Sequence, residues 1–482
     1  MLFSSPVFIF LFLPLSLLLY YATGRKNIVL LSISLLFYAW GEPILVLVII
    51  SSIVVNYILG RCIDKYQSSN RQLAKIFLIF GICANLMLLM HYKYFDYFAS
   101  FINQALDIAD IARIEKTNIP LLLGVSFFSF QAMGYLIDIY RKEYHAQTNI
   151  LNFALFKTFF PQLIAGPIVR YSEISTQLDD RKHGTELFAE GVELFIIGLA
   201  KKVLIADVLA VSVDKMFEVP VSEMSASVAW TAVFLFGLQI YFDFSGYTNM
   251  ALGLGKMFGF HLPKNFNYPY MASTVQDFWR RWHMTLSRWF RDYLYIPLGG
   301  NRKGAGRTAF NLFIVFLLCG LWHGANTTFV VWGVIHGFFL MLERTRFGVV
   351  LGNTPKFVQH MYFFIVLMFS WMVFRATSID QAIGIGEAML GFNGWSNEHY
   401  SLRLYADNLT WLSTVLGVVF SFPAMKWLQS YWTENKNLLT LFNNRLQVKS
   451  SVVRVMSYCS VLIISFAFIG AQTHRAFIYF RF

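Results

Sequence analysis

Long apolar segments recur along the entire chain, and only short polar stretches separate them. They lie near residues 7–23, 28–41, 43–60, 73–91, 119–140, 151–169, 186–210, 226–243, 245–260, 309–322, 326–342, 357–376, 410–428 and 455–473. An α-helix rises about 1.5 Å per residue, so roughly 20 apolar residues are needed to cross a hydrocarbon core about 30 Å thick. We therefore predict about eleven transmembrane helices, with the shorter or interrupted segments forming re-entrant and interfacial helices.

The scarcity of charged residues leads to the same prediction. Only 14% of the 482 residues are charged and 57% are hydrophobic, whereas soluble proteins average roughly 25% charged residues. The net charge of +12 comes from basic residues in short loops, which set membrane orientation and do not indicate nucleic-acid binding. The four cysteines have no metal-ligand spacing, so no metal site is expected. The sequence predicts an all-α polytopic membrane protein in which residues 1–482 form a single membrane domain.

The distribution of basic residues predicts how the helices are oriented. Basic residues occupy the loops at 61–75, 141–142 and 302–307, whereas the turn at 41–43 has none. Because loops rich in Lys and Arg stay on the cytoplasmic side, we expect the N-terminus and the acidic segment 380–407 to lie outside the cytoplasm. The helix that precedes residue 323 then runs outward and ends near the outer side of the membrane.

Two apolar segments contain residues that a simple transmembrane helix would not tolerate. Pro161, Gly166 and Pro167 interrupt the segment 159–170, and irregular backbone at membrane depth must be buried in protein or line a cavity. Asp243 ends another apolar run, where a lone carboxylate is costly. We expect it to pair with an arginine or to cap a following half-helix, and we keep it as a candidate substrate-binding residue.

His323 stands out in the stretch 318–337, LCGLWHGANTTFVVWGVIHG, because it lies between a tryptophan and a glycine in an otherwise apolar region. The uncharged run before it, 309–322, would form about 21 Å of helix, which is shorter than the hydrocarbon core. A helix that starts at one membrane face would therefore leave His323 within the depth of the membrane, where a titratable residue is a candidate for function. The alternative is a histidine that caps a short interfacial turn.

A helix rich in Arg and Trp is predicted over residues 273–300, STVQDFWRRWHMTLSRWFRDYLYIPLGG. Thr274 and Asp277 form a capping box at its start, and Pro297 ends it. The tryptophans recur at three- and four-residue steps and share one face, while the arginines occupy two other faces. This pattern is typical of an interfacial helix, or of one that dips into a polar cavity.

His283 lies in this helix, so two histidines in membrane-embedded segments are candidates to face one cavity. Arginine side chains match phosphate groups geometrically, which makes Arg280, Arg288 and Arg291 candidate ligands of a phosphate-bearing donor from the cytoplasm. The alternative is a basic amphipathic helix that is held by anionic lipid.

Two long motifs resemble the signature regions of the membrane-bound O-acyltransferase superfamily, namely WRRWHMTLSRWFRDYLYIPLGGN and GLWHGANTTFVVWGVIHG. Within the superfamily they are most similar to the bacterial alginate O-acetyltransferases. The resemblance extends to LLLGVSFFSFQAMGYLIDIYR, FFPQLIAGPIVRY, IYFDFSGYTNMALGLGKMFGF and the terminal FIYFRF. It spans nearly the whole chain and is weakest over residues 380–455.

The resemblance implies a ring of helices around a central funnel and tunnel, which joins a cytoplasmic donor to an extracytoplasmic acceptor. It implies that His323 is the catalytic histidine and that His283 occupies the second signature position. It further implies a bacterial inner-membrane enzyme with no bound cofactor, which transfers acetyl groups from acetyl-CoA to a cell-envelope polysaccharide. A periplasmic acetyltransferase partner protein is implied as well.

The chemistry of acyl transfer favours the same residues. Transfer to a hydroxyl needs a base, and imidazole, with an ordinary pKa of about 6.5, suits this role at neutral pH. We hypothesise that His323 is that base or carries the acyl group transiently, and that His283 orients the donor or stabilises charge. Trp322 and Trp279 are candidates to exclude water, which would hydrolyse a thioester.

Two alternatives remain open at this stage. A transporter for a polysaccharide or a lipid-linked sugar would also contain membrane-embedded His, Asp and Arg residues. Such transporters usually have repeated halves, and the sequence shows none. The second alternative keeps the fold but changes the acceptor to peptidoglycan or cellulose, or the acyl group to D-alanine.

Overall fold

The computed structural model describes residues 1–24, 26–115, 122–424, 443–471 and Phe477, and all regular secondary structure in these ranges is helical. The helices of the first half are α1 (Leu13–Ala22), α2 (Lys26–Gly41), α3 (Val46–Tyr66), α4 (Arg71–Leu89), α5 (Phe95–Ile108), α6 (Val125–Tyr140), α7 (Ile150–Thr158), α8 (Phe160–Leu163), α9 (Tyr171–Asp179), α10 (Thr185–Ala200) and α11 (Asp207–Phe217). Those of the second half are α12 (Ala226–Met257), α13 (Val275–Arg281), α14 (Met284–Phe290), α15 (Gly304–His323), α16 (Thr327–Leu342), α17 (Arg346–Gly352), α18 (Lys356–Arg375), α19 (Ile379–Met389), α20 (Asn408–Phe420) and α21 (Asn443–Ala471). Parts of the predicted segments 119–140, 410–428 and 455–473, and of the terminal FIYFRF, lie outside the described residues.

The helices confirm the prediction of a polytopic all-α membrane protein. Among the described residues, six helical stretches are long and apolar enough to cross a membrane, and they are Val46–Tyr66, Arg71–Ile108, Ala226–Met257, Gly304–His323, Lys356–Arg375 and Val452–Ala471. Four shorter apolar helical stretches of 10–17 residues accompany them, which fits the expected mixture of spanning and shorter helices.

Helix α12 is the centre of the bundle, and it corrects one prediction. It runs unbroken for 32 residues, so the two separate segments predicted at 226–243 and 245–260 are wrong. In its most apolar stretch of 18 residues, 78% of the residues are buried inside the protein. The helices α10, α11, α18 and α19 pack around it. The mid-helix Asp243 therefore caps no half-helix.

The carboxylate of Asp243 is neutralised within the protein. Its Oδ1 lies 2.8 Å from Lys202 Nζ, and the same ammonium lies 2.8 Å from Asp207 Oδ1. A paired carboxylate can be buried without the cost of an isolated charge, which explains why the helix continues past it. The expected structural pairing is confirmed, with a lysine in place of the expected arginine.

The long Arg- and Trp-rich helix predicted over residues 273–300 is also wrong in detail. The structure has two short helices, α13 and α14, followed by a π-helical turn at Arg291–Tyr295. The break lies at His283, whose φ of 40° falls in the left-handed region that ends a helix. The predicted start is confirmed in part, because Thr274 Oγ1 accepts a hydrogen bond of 3.0 Å from the Asp277 amide.

The proline- and glycine-containing segment after α7 is buried inside the protein, as the sequence predicted. Every residue from 159 to 169 is buried, and α8 contributes only four residues of helix to it. The Ile168 amide donates a hydrogen bond of 3.0 Å to Thr285 Oγ1 in α14. Irregular backbone is thus satisfied by protein partners at the point where it meets the helix that follows His283.

Candidate active site

His323 is the last residue of α15, and aromatic rings enclose its side chain. The helix has 20 residues and begins before the uncharged run, so it is not the short helix that the sequence predicted. His323 is nevertheless inside the protein, because it is only 2% exposed. The imidazole packs edge-on against Trp332 at 4.9 Å, Trp322 at 5.1 Å and Phe374 at 5.4 Å between ring centroids.

His283 also packs against Trp322. Its side chain is fully buried, and its ring lies 5.6 Å from that of Trp322 and 4.8 Å from that of Phe244. One indole therefore contacts both histidines, so the structure brings the two predicted residues together. The break between α13 and α14 is what turns the His283 ring toward this site.

Asn265 holds His283 in place. No motif or periodicity in the sequence singles out Asn265. Its Oδ1 accepts hydrogen bonds from the Thr285 amide at 3.2 Å and from Thr285 Oγ1 at 3.0 Å. His283 Nδ1 lies 3.2 Å from the same oxygen, so the network assigns the ring proton to Nδ1. The other nitrogen, Nε2, then carries a lone pair, and it has no hydrogen-bond partner within the described part of the chain.

A third buried histidine, His336, completes the aromatic cluster. It is 1% exposed, and its ring lies 4.7 Å from the Trp332 ring that also contacts His323. Trp279 Nε1 donates a hydrogen bond of 3.3 Å to His336 Nδ1. The sequence offered a signal for this residue, since His336 follows Trp332 by one helical turn in an apolar helix.

The two tryptophans predicted to exclude water differ in position. Trp322 contacts both catalytic candidates directly, as described above. Trp279 packs against Trp332 at 5.7 Å and Phe316 at 4.9 Å, and Trp332 in turn contacts His323. Both indoles are buried, and together they place a dense aromatic wall around the histidines.

Two of the three arginines predicted to bind a donor are engaged by carboxylates. Arg288 Nη1 lies 2.9 Å from Glu173 Oε1, and Arg291 Nε lies 2.6 Å from Asp292 Oδ1. Arg280 is exposed, and no ion pair is formed by it among the described residues. Donor binding by these arginines stays a prediction, and their ion pairs give Arg288 and Arg291 a structural role.

The carboxylate that pairs with Arg291 also anchors a second segment. Arg170, at the end of the irregular stretch after α8, forms an ion pair with Asp292 as well. Burial raises the pKa of Asp292, but the hydrogen bonds and charges of Arg291 and Arg170 outweigh it and hold the pKa below its usual value. Asp292 is therefore ionised at neutral pH and ties the two segments together.

A polar cavity of about 700 Å³ borders the site on the Asn265 side. Its basic residues are Lys201, Lys256, Lys264 and Arg454, and its acidic residues are Glu190 and Glu193. Lys256 pairs with Glu190, and Arg454 pairs with Glu193. Among the described residues no carboxylate pairs with Lys201 or Lys264, which leaves an excess of positive charge in the cavity.

Comparison with known proteins agrees with this architecture. The model of the membrane-bound O-acyltransferase family matches residues 141–380, a range that contains His283, His323 and His336. The chain is 36% identical to a probable alginate O-acetylase of Pseudomonas putida, with 100% of both chains covered. It is 40% identical to the probable alginate O-acetylase of Pseudomonas aeruginosa, over 82% of this chain and 76% of that protein.

A third relative differs in its acceptor. The peptidoglycan O-acetyltransferase of Helicobacter pylori is 35% identical over 100% of this chain and 98% of its own length. These similarities cover α1 to α21 and both histidine motifs. The chain therefore belongs to the membrane-bound O-acyltransferase family, and it is an O-acyltransferase that resides in a membrane as a multi-pass protein.

Proposed function

We propose that this enzyme is an O-acetyltransferase that passes acetyl groups from a cytoplasmic thioester, acetyl-CoA, to hydroxyls of an extracytoplasmic polysaccharide. The observation that carries the proposal is that two buried histidines, His283 and His323, both pack against the Trp322 ring. The relatives whose names specify O-acetyl transfer support it. Location in the inner membrane belongs to the same proposal.

His323 acts as the general base in this proposal. Its imidazole takes the proton of the acceptor hydroxyl while the oxygen attacks the thioester carbonyl. The carbon–sulfur bond then breaks, the acetyl group stays on the acceptor oxygen, and the proton leaves with the thiol. The surrounding rings of Trp322, Trp332 and Phe374 keep water away from the reacting thioester.

His283 orients a substrate in the proposed mechanism. Because Asn265 fixes the proton on Nδ1, Nε2 of the neutral ring is a hydrogen-bond acceptor aimed from a rigid position. A thiol or hydroxyl that donates to Nε2 is held beside the same indole that packs on His323. Such positioning lowers the entropic part of the barrier to transfer.

The polar cavity next to Asn265 suits the donor's phosphate groups better than Arg288 and Arg291 do. The cavity holds Lys201 and Lys264, which have no carboxylate partner among the described residues. By contrast, Arg288 and Arg291 are each neutralised by a carboxylate. We therefore place the phosphate-bearing end of the donor in the cavity, with its acyl end directed toward His283.

The names of the relatives indicate two candidate acceptors. An alginate-type exopolysaccharide is our first choice, because two relatives named for alginate cover most or all of the chain. Peptidoglycan is the second candidate, since the Helicobacter pylori relative also covers the full chain. Transfer through a periplasmic acetyltransferase partner belongs to either version.

Replacement of His323 by alanine tests the proposed function. We expect the O-acetyl ester content of the envelope polysaccharide to fall on the order of 100-fold, because the base is lost. The measurement is ester content in a deletion strain that carries the variant, at matched membrane abundance. His399→Ala, an exposed histidine far along the chain, is the matched control and should behave as wild type.

Wild-type ester content with His323→Ala would overturn the proposal. The same deletion strain identifies the acceptor, because the polymer that loses its esters is the one modified. Loss from peptidoglycan with alginate-type polymer unchanged would replace the first acceptor by the second. Turnover of labelled acetyl-CoA by the purified full-length protein tests the donor.

A further inference from the structure

The C-terminal end of α15, which carries His323, is held by two consecutive side chains from another helix. Tyr94 Oη donates a hydrogen bond of 2.7 Å to the Leu321 carbonyl. Lys93 Nζ donates one of 2.6 Å to the Trp322 carbonyl and lies 3.4 Å from the His323 carbonyl. Three successive carbonyls of the catalytic helix are thus bound from outside it.

These carbonyls need external partners because α15 ends abruptly. The last four carbonyls of an α-helix have no intrahelical donor, and Gly324 leaves the helix with an extended backbone at φ −177°. The carbonyls also form the negative end of the helix dipole, which favours a cation. Lys93 supplies that cation directly at the residue that carries the imidazole.

Lys93 in turn depends on this helix end for compensation of its charge. Within the described residues no carboxylate forms an ion pair with it. Its remaining described contacts are Ser126 Oγ at 3.3 Å and two aromatic rings, those of Trp322 and Tyr94, whose centroids are 5.8 Å and 6.0 Å away. A half-buried ammonium with these partners makes charge-assisted hydrogen bonds that are stronger than neutral ones.

The element that presents both side chains is an irregular but continuous helix. Residues 71–108 form one helical stretch, and Lys93 and Tyr94 lie in its π-helical turn, Met90–Tyr94. Such turns are rare and are frequent at functional sites. A long helix that packs against α3 and α6 is a rigid support for the end of α15.

We propose that Lys93 is a positioning residue for the acyl transfer, acting through the backbone of Trp322 and His323. It fixes the end of α15, and with it the imidazole of His323 and the indole of Trp322 that contacts both histidines. Tyr94 contributes through Leu321. The inference rests on the proposed function, because it assigns Lys93 to the step in which His323 is the base.

Loss of this support is expected to reduce kcat and leave KM unchanged. Substrate binding involves other residues, whereas proton transfer requires the imidazole within hydrogen-bond reach of the hydroxyl. Lys93→Met keeps the length of the side chain but removes the charge and the donors, so we expect kcat to fall about tenfold or more. Lys93→Arg keeps both and should recover kcat to within about fivefold of wild type.

The experiment measures acetyl-CoA turnover by purified full-length protein reconstituted in lipid vesicles, with the melting temperature of each variant recorded. Lys75→Met, an exposed lysine in the same helical stretch, is the matched control and should retain wild-type kcat and KM. Tyr94→Phe removes a single hydroxyl and should lower kcat about threefold. If Lys93→Met fails to accumulate in the membrane, the kcat of Tyr94→Phe tests the inference in its place.

Wild-type kcat in Lys93→Met, or in Tyr94→Phe when only that variant folds, would overturn the inference. So would a raised KM at constant kcat, because it would assign Lys93 to binding. His323→Ala is measured in parallel. If His323→Ala retains activity the proposed function fails, whereas an inactive His323→Ala beside a fully active Lys93→Met rejects only the role of Lys93.

Discussion

At the scale of single residues, one amide side chain organises the second histidine. Asn265 Oδ1 accepts from Thr285 twice and contacts His283 Nδ1, and its backbone carbonyl accepts from the Met284 amide at 3.0 Å. It thereby caps the start of α14 and selects the tautomer of His283 at the same time. Removing this side chain should therefore affect the chemistry as well as the local fold.

Asn265→Ala is expected to lower acetyl-transfer activity about tenfold, since His283 loses the acceptor that fixes its ring. The measurement is acetyl-CoA turnover by the purified variant. Asn353→Ala is the matched control, because Asn353 is exposed, does not line the polar cavity and uses only its backbone in the described contacts. Equal activity of the two variants would show that the orientation of His283 is not needed.

The residues of the site differ in how well the sequence could predict them. His323, His283 and Trp322 stand out locally, as polar or aromatic residues in apolar surroundings. Asn265 lies 18 residues from its histidine, and Lys93 lies 230 residues from the carbonyl it approaches. Tertiary packing brings these partners together, and no local periodicity encodes such packing. The histidines of the candidate site could therefore be predicted from the sequence, whereas the residues that hold them, Asn265 and Lys93, could not.

At the scale of elements, the pairing of α15 with α16 places His323 against Trp332. The two helices approach closely at Gly320 and Gly333, where a Cβ on Gly333 would lie 2.3 Å from the Phe316 carbonyl oxygen and 3.1 Å from the Gly320 Cα. Small residues at such crossings let membrane helices pack at short range. The apolar pattern of the sequence located both helices, but it contains no information on the distance between their axes.

Gly333→Ala should force these helices apart and lower both activity and melting temperature. In an isolated helix alanine is favoured over glycine by about 1 kcal/mol, so a loss of stability can come only from the clash with the neighbouring backbone. Gly306→Ala is the control, because the space around Gly306 in α15 is open. We expect it to leave the melting temperature unchanged or raised. A Gly333→Ala protein as stable and active as this control would contradict the close approach.

The break between α13 and α14 shows what an element-level prediction misses. Residues 273–300 have a helical pattern of tryptophans and a good start signal at Thr274, and both flanking helices exist. The interruption at His283 depends on Asn265, which bonds the amides at the start of α14. A functional site is a common place for local propensity to be overridden in this way.

At the scale of the whole molecule, the ends of α4 and α15 show which loops lie at opposite ends of the bundle. Lys93 meets the end of α15, and α4 runs for 19 residues, about 28 Å, from Arg71 to this region. Asn326 Nδ2 donates to the Thr377 carbonyl at 3.0 Å, so the end of α15 also lies next to the start of the acidic segment. The loop before Arg71 and the acidic segment therefore belong to opposite ends of the bundle.

The basic residues around Arg71 predict that this loop is cytoplasmic and that the acidic segment is outside. A labelling experiment can test this orientation once the accessible cysteines, which are Cys62, Cys83 and Cys459, are replaced by serine. Cys319 can remain, because it is buried and does not react with a thiol reagent. A single new cysteine then reports which side of the membrane its position occupies.

Ser396→Cys, in the acidic segment, should react with a membrane-impermeant maleimide in cells whose outer membrane has been made permeable. Ser69→Cys, in the basic loop, should react only after the inner membrane is opened. Both positions are exposed in the structure, so a difference in labelling reports sidedness and not burial. Labelling of Ser69→Cys before opening would reverse the orientation and place His323 toward the cytoplasm. The proposed transfer to an extracytoplasmic hydroxyl would then require a different route for the acceptor.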